Sequence, residues 1–175
     1  MHKIIVVGAT GSGKSTLAKA LAEKIQIENI QLDLLFWKPN WQWSSDEEFF
    51  PKIEAALKDK ERWVVDGNYS RTYDILWPKA DTVIWIDFPF WLTFYQNFSR
   101  SIKRIITREE LWPNTNNRES FTRLIGKESI LRWLWKTYPL MQQRYEKRFA
   151  DPEHDYINFY RLRSRAEVKQ FINSL

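Results

Sequence analysis

Short runs of apolar, mostly β-branched residues alternate along the chain with longer stretches in which apolar residues return every three or four positions. The first run, Lys3–Val7, closes on a glycine and predicts a buried strand. Leu17, Ala18, Leu21 and Ile25 return at helical spacing and predict a helix over Lys14–Ile25. Asn29–Leu32 predicts a short second strand ending at Asp33. Ser45 with Glu48 three residues later is a capping box, so a helix should run from about Asp46 to Lys60. Trp63–Val65 and Thr82–Ile86 predict a third and a fourth strand, ending at Asp66-Gly67 and at Asp87. A helix should follow from about Pro89 to Thr107, with the proline in its first turn.

The segment Leu111–Asn117 holds Pro113 and three Asn and predicts a loop. Roughly Arg118–Phe149 reads as helical, with a break or kink expected near Pro139, and Asp151-Pro152 ends it. Tyr156–Leu162 alternates into a last strand, and Ser164 with Glu167 opens a terminal helix through a second capping box. Strands separated by helices imply an α/β fold with a parallel sheet and right-handed crossovers. A length of 175 residues suits one such domain with a small insertion.

Composition changes this picture little. Ten Trp and eleven Phe are more than a small core needs, so some are left for a binding wall. The net charge of +5 fits anionic ligands such as phosphates. It is too small and too dispersed to argue for DNA by itself. The absence of Cys excludes disulfides and Cys-based zinc sites and is compatible with a reducing compartment. The N-terminal apolar run is too short for a signal peptide, and no stretch approaches the roughly 20 apolar residues that span a membrane. The expectation is a soluble, cytoplasmic protein with no membrane partner.

The chemistry begins at Gly8-Ala9-Thr10-Gly11-Ser12-Gly13-Lys14-Ser15, which matches G-x-x-x-x-G-K-[ST] between a predicted strand and a predicted helix. Backbone N–H groups of such a turn form a cradle for anionic oxygens. Glycines at 8, 11 and 13 permit the backbone angles and the close approach that this requires. The helix that follows aims its positive end at the phosphates. Lys14 is expected to reach the β- and γ-phosphates of ATP, and the Ser15 hydroxyl to ligate Mg²⁺. Thr16 lies beside it, outside the motif.

No Asn-Lys-x-Asp base-reading motif follows, which argues against a GTPase, and ABC-type signature glycines are absent. Gly8–Ser15, Leu32-Asp33, Val64-Val65-Asp66-Gly67-Asn68-Tyr69-Ser70-Arg71-Thr72, Ile84-Trp85-Ile86-Asp87 and Arg161-Leu162-Arg163-Ser164 together resemble the adenylate-kinase-related P-loop family. Asp33-Leu34-Leu35-Phe36-Trp37 with Asp66-Gly67-Asn68-Tyr69-Ser70-Arg71 is most similar to its DNA topology modulation (FlaR-like) group. The resemblance covers nearly the whole chain. It implies a three-layer P-loop fold with a five-stranded parallel sheet in the order 2-3-1-4-5. It also implies an acceptor-binding segment over about 34–62 and an arginine-bearing helical lid over about 100–127. Adenylate kinases carry Asp-Gly-Phe-Pro-Arg where this chain has Asp66-Gly67-Asn68-Tyr69-Ser70-Arg71, one residue longer before the arginine.

Several charged residues then become candidates. Asp66 ends an apolar strand, where a carboxylate holds Mg²⁺ beside Ser15; Asp87 ends another and competes, and the family pattern favours Asp66. Asp33 lies beyond the second strand and either takes a proton from the acceptor or forms an Asx turn. Arg71 either clamps an acidic acceptor group or is a surface arginine. Arg100, Lys103, Arg104 and Arg108 fall at helical spacing, expected on one face. Arg100 and Arg104 are the candidates to close over the γ-phosphate, with Arg118 and Arg123 behind them. The stripe is otherwise a solvated basic face, or a contact for DNA phosphates, although no DNA-reading motif accompanies it. Phe36, Trp37, Trp41 and Trp43 either stack a planar acceptor or pack the insertion. Arg163 falls where related kinases hold adenine, next to a helix-capping Ser164.

These readings converge on a small kinase-type phosphotransferase using ATP and Mg²⁺ on a small-molecule acceptor. The alternatives are an ATP-binding regulator that hydrolyses slowly or not at all, and a DNA-associated protein. Seven Lys and Arg against three Glu between residues 100 and 127 repel one another. Residues Pro113–Asn117 offer little apolar content, so the lid is expected to be open or poorly ordered until phosphate draws it closed.

Overall fold

The computed structural model describes all residues from Met1 to Leu175. Strands β1 (Lys3–Gly8), β2 (Glu28–Gln31), β3 (Trp63–Asp66), β4 (Thr82–Ile86) and β5 (Asn158–Leu162) form one sheet in the order β2-β3-β1-β4-β5. Every pairing is parallel, with Ile5 opposite Val65 on one side and Val83 on the other. β1 is the central strand, so the loop that leaves it emerges in the middle of the sheet's carboxyl edge, where ligands of open α/β folds bind.

Successive side chains of a strand point to opposite faces, and this divides the core in two. Ile4, Val6, Val64, Ile84 and Ile86 face α1 (Lys14–Ile25) and the terminal helix (Arg165–Asn173) through Leu17, Leu21 and Phe171. Ile5, Val7, Val65, Val83 and Trp85 face the other way. There they meet Phe49 and Ile53 of the helix Asp46–Leu57, and Leu134, Tyr138, Met141 and Tyr145 of the helix Ile130–Phe149. Trp63 and Trp85 are almost wholly enclosed, which accounts for part of the tryptophan excess. Truncating either to Ala would cost about 3–5 kcal/mol.

In chain order the helices are α1, α2 (Leu32–Phe36), α3 (Asp46–Leu57), α4 (Tyr73–Leu76), α5 (Phe90–Thr107), α6 (Phe121–Ile125), α7 (Ile130–Phe149) and α8 (Arg165–Asn173). The capping boxes at Ser45 and Ser164 open α3 and α8 as the sequence predicts. Four local expectations are corrected. Leu32 and Asp33 open α2 and do not extend β2, because Leu32 turns inward into the core. Pro89 is the cap before α5, not a residue of its first turn. β5 begins at Asn158, after a 3-10 turn over Pro152–His154.

The fourth concerns residues 118–149. The break lies between α6 and α7, at Gly126–Ser129, while α7 runs through Pro139. Pro139 removes one intrahelical hydrogen bond to the carbonyl of Trp135. That residue is on the solvent side, 59% exposed, so water takes the carbonyl while Leu134, Tyr138, Met141 and Tyr145 anchor the opposite face. No helix is long and apolar enough to cross a membrane.

Candidate functional site

The β1–α1 turn has the geometry of an anion cradle. Gly8, Gly11 and Gly13 have φ of +149°, +81° and +98°. A Cβ on Gly8 would lie 2.7 Å from the Ile86 carbonyl oxygen, and one on Gly11 would lie 2.7 Å from Asn97 Cβ. Neither neighbour can yield, so no side chain fits at these positions. The backbone N–H groups of Gly13, Lys14, Ser15 and Thr16 donate to no group of the protein. They are the open first turn of α1, which is where a helix attracts negative charge. Lys14 folds back, its Nζ donating to the Ala9 carbonyl at 3.0 Å. Burial pushes its ammonium below the usual lysine range, while Asp66 and then Asp33 pull it back up.

Asp66 ends β3 beside this turn and is 5% exposed. Burial raises its carboxyl above the usual range; Lys14 and the Ser15 hydroxyl oppose the shift. Its Oδ1 has no hydrogen-bond partner. A buried carboxylate oxygen left unpartnered is costly and calls for a cation or its bound water. Asp87, the competing residue, is fully engaged. It accepts from Arg161 Nε at 2.8 Å and from Gln142 Nε2 at 3.0 Å, so it ties β4 to β5 and α7. The unpartnered Asp66 oxygen, the Ser15 hydroxyl and the glycine cradle fit a Mg²⁺–triphosphate, and Asp87 does not.

Asp33 stands exposed in the first turn of α2, with Oδ1 accepting from the Tyr69 hydroxyl at 2.5 Å. Its charge acts on Lys14, Asp66 and Arg100, so it faces the phosphate loop from the acceptor side. Arg100 reaches the loop from the other side. Its Nη2 donates to Asn97 Oδ1 at 2.8 Å and to Thr10 Oγ1 at 3.5 Å, and its buried Nε has no partner. Burial, then Arg104, lowers its guanidinium; Glu119 and Asp33 raise it. Lys14, Asp33, Asp66 and Arg100 therefore converge on one region above the cradle.

The remaining candidates are elsewhere. Arg71 turns away toward α3, donating to Asp46 Oδ1 at 2.6 Å. Arg104 pairs with Glu119 at 3.5 Å. The basic stripe does not form one face: Lys103 is exposed, and Arg108 has left the helix with φ of +52°. Arg163 is exposed, and only its backbone N–H is engaged, donating to Glu167 at 2.8 Å.

The 108–120 stretch is not loosely held. Trp112 stacks on Trp37 with ring centroids 4.9 Å apart and planes 12° from parallel, and Trp41 meets both edge-on. Asn117 is 1% exposed; its side chain accepts from the Trp41 N–H and donates to the Lys38 carbonyl, each at 2.8 Å. Arg123 lies 3.9 Å above the Trp41 ring. The expectation of a poorly ordered loop fails here because it counted only the loop's own apolar residues and not the indoles across from it. The same stack occupies the aromatic wall, and Trp43 stays outside it, 64% exposed.

Other contributors were not singled out from the sequence. Asn68 donates to the Gly8 carbonyl at 3.3 Å and accepts from Tyr73 and Tyr145, linking the loop to α7. Gln96, with its amide N–H donating to the Gly11 carbonyl at 2.9 Å, accepts from Arg165 at 2.8 Å. The signal was available: Thr93, Asn97, Arg100 and Arg104 form a polar line at helical spacing on α5, opposite the exposed Trp91 and Tyr95.

The chain is similar in structure to a gluconokinase from Sinorhizobium meliloti 1021, with a TM-score of 0.53 at 14% identity over 99% of this chain and 94% of that one. It is similar to the shikimate kinase from Acinetobacter baumannii in complex with shikimate, with a TM-score of 0.54 at 15% identity over 99% and 90%. A sugar kinase from Janibacter sp. HTCC2649 gives 0.50 at 15% identity over 98% and 90%. The fold is thus that of the P-loop kinases. No protein-family model matches the chain, and no curated protein matches it.

Proposed function

We propose that this chain is an ATP-Mg²⁺-dependent phosphotransferase acting on a hydroxyl of a small-molecule acceptor, within the P-loop kinase group that its Asp66–Arg71 motif resembles. The observation that carries the proposal is the convergence of Lys14, Asp66, Asp33 and Arg100 on the glycine cradle. ATP-Mg²⁺ would bring the phosphoryl group and the cation that screens its charge. The chain's own part is to hold and to neutralise. The free N–H groups from Gly13 to Thr16 and the Lys14 ammonium grip the triphosphate. Ser15 and Asp66 are the protein groups for the metal.

Asp33 takes the proton of the acceptor hydroxyl as its oxygen bonds to the γ-phosphorus and the bond to the β-bridging oxygen breaks. Arg100 faces the charge that spreads over the equatorial oxygens. A protein that only binds ATP needs neither of the last two residues. The gluconokinase, sugar kinase and shikimate kinase similarities support an alcohol as acceptor.

The test is ADP release by the pure protein with ATP-Mg²⁺ and a panel of alcohols. Release stimulated by an acceptor supports the proposal. Slow release indifferent to every acceptor would make the chain an ATP-binding regulator.

A further inference from the structure

On the acceptor side of Asp33 each cation is already matched. Arg71 is 2.6 Å from Asp46, with its guanidinium also 5.3 Å from the Phe36 ring centre. Arg104 is 3.5 Å from Glu119. Arg123 lies 3.3 Å from Glu128 while it covers Trp41. Lys38 pairs with Glu48. The N-terminus of α3, the other element here suited to an anion, is filled by its own Asp46, Glu47 and Glu48.

The charge left over on this side is negative. Asp33 has only the neutral Tyr69 hydroxyl as hydrogen-bond partner. The two cations without a carboxylate partner, Lys14 and Arg100, rest on Ala9 and Thr10 of the phosphate loop and belong to the donor. A carboxylate or phosphate on the acceptor would need a guanidinium fork. It would have to displace Asp46 from Arg71. That carboxylate and Asp33 would then both face an anion, in a region where water screens them incompletely. One exposed ion pair is a weak obstacle; a wall in which all four pairs are closed, with the helix N-terminus filled, is a consistent one.

We infer that the acceptor is an uncharged or amine-bearing alcohol, not a carboxylated or phosphorylated one. The inference rests on the phosphotransferase reading and goes beyond it by naming the acceptor's charge class. Asp46 is the specificity-determining residue because it withholds Arg71.

The experiment is a calorimetric titration of inorganic phosphate into protein whose phosphate loop is already saturated with a non-hydrolysable ATP analogue and Mg²⁺. Wild type should show no saturable phosphate binding up to 10 mM, a ceiling of about 10³ times a micromolar affinity. Asp46→Asn lies on the exposed first turn of α3 and leaves the Ser45 cap in place, so the fold should hold. It should gain a phosphate site at least tenfold tighter than that ceiling, and Asp46→Asn with Arg71→Ala should lose it again. Saturable binding in wild type would overturn the inference and leave the phosphotransferase reading standing. Absence of binding in Asp46→Asn would overturn it too, since Arg71 would then not be what Asp46 withholds. Failure of the ATP analogue to saturate the loop would instead remove the reading on which the inference stands.

Discussion

The Tyr69 hydroxyl donates to Asp33 Oδ1 at 2.5 Å, joining the segment after β3 to the start of α2. Burial, and then the Asp33 charge, pushes the Tyr69 phenol well above its ordinary range, so it remains a donor at any working pH. The bond fixes the carboxylate that faces the phosphate loop. Asp33→Asn should leave ATP affinity nearly intact and lower turnover about 10²-fold or more, the usual scale of a positioned acid–base group. Tyr69→Phe should lower turnover less, because it frees the carboxylate without removing it. Steady-state kinetics beside ATP titration measure both. An equal loss of ATP affinity in Asp33→Asn would place Asp33 in the metal shell.

Lys14→Ala should keep the fold and lose most triphosphate binding. The cradle's glycines and free N–H groups remain, but the charge they surround is gone. Calorimetry with ATP-Mg²⁺ is the check, and unchanged affinity would sink the phosphate-loop reading.

Arg100→Ala should lower turnover by about 10²-fold, the cost of one preorganised donor to a developing charge, with a smaller change in ATP affinity. The guanidinium is held by Asn97, so Asn97→Ala should show part of the same loss. A pure affinity loss in Arg100→Ala would make it a binding residue only.

The stack of Trp112 on Trp37 and the side-chain bonds of Asn117 hold the 108–120 stretch to the acceptor segment. Hydrogen exchange should therefore show protection around Asn117 without nucleotide, and Asn117→Ala should remove it. Fast exchange there in the wild type would restore the picture of a loose lid.

What the sequence made legible follows from how local each signal was. Strand β1, its glycine turn and Lys14 depend on a contiguous motif, and the strand order followed from a resemblance spread over the chain. Asp66 and Asp87 look alike from sequence, each ending an apolar strand. They differ only because Arg161, 74 residues from Asp87, supplies a partner to one of them. The Asn117 contacts with residues 38 and 41 span 79 and 76 positions, and no local pattern encodes them. Pro139 misled because a local rule was applied where tertiary packing of α7 outweighs it.

Asp81 gives a pH dependence outside the site. Burial alone would raise its carboxyl, but the Thr82 hydroxyl and the N–H groups of Lys3 and His2 outweigh burial and hold it below the usual range. A depressed folded value means stability that is present above the ordinary carboxylate range and is lost as pH falls through the depressed value. Asp81→Asn should cost about 2 kcal/mol at neutral pH, as for hydrogen bonds to a charged acceptor, and less in acid. Thermal melts from pH 7 to pH 3 should show the two proteins drawing together; a constant gap would contradict this.

The central claim is transfer of a phosphoryl group from ATP to an alcohol at the Gly8–Ser15 loop. The most direct measurement is ³¹P NMR of the pure protein with ATP-Mg²⁺ and a mixed pool of small-molecule alcohols. A phosphomonoester resonance should grow as ATP becomes ADP, and it should be absent with Lys14→Ala. Growth of inorganic phosphate alone, or no conversion of ATP at all, would contradict the claim.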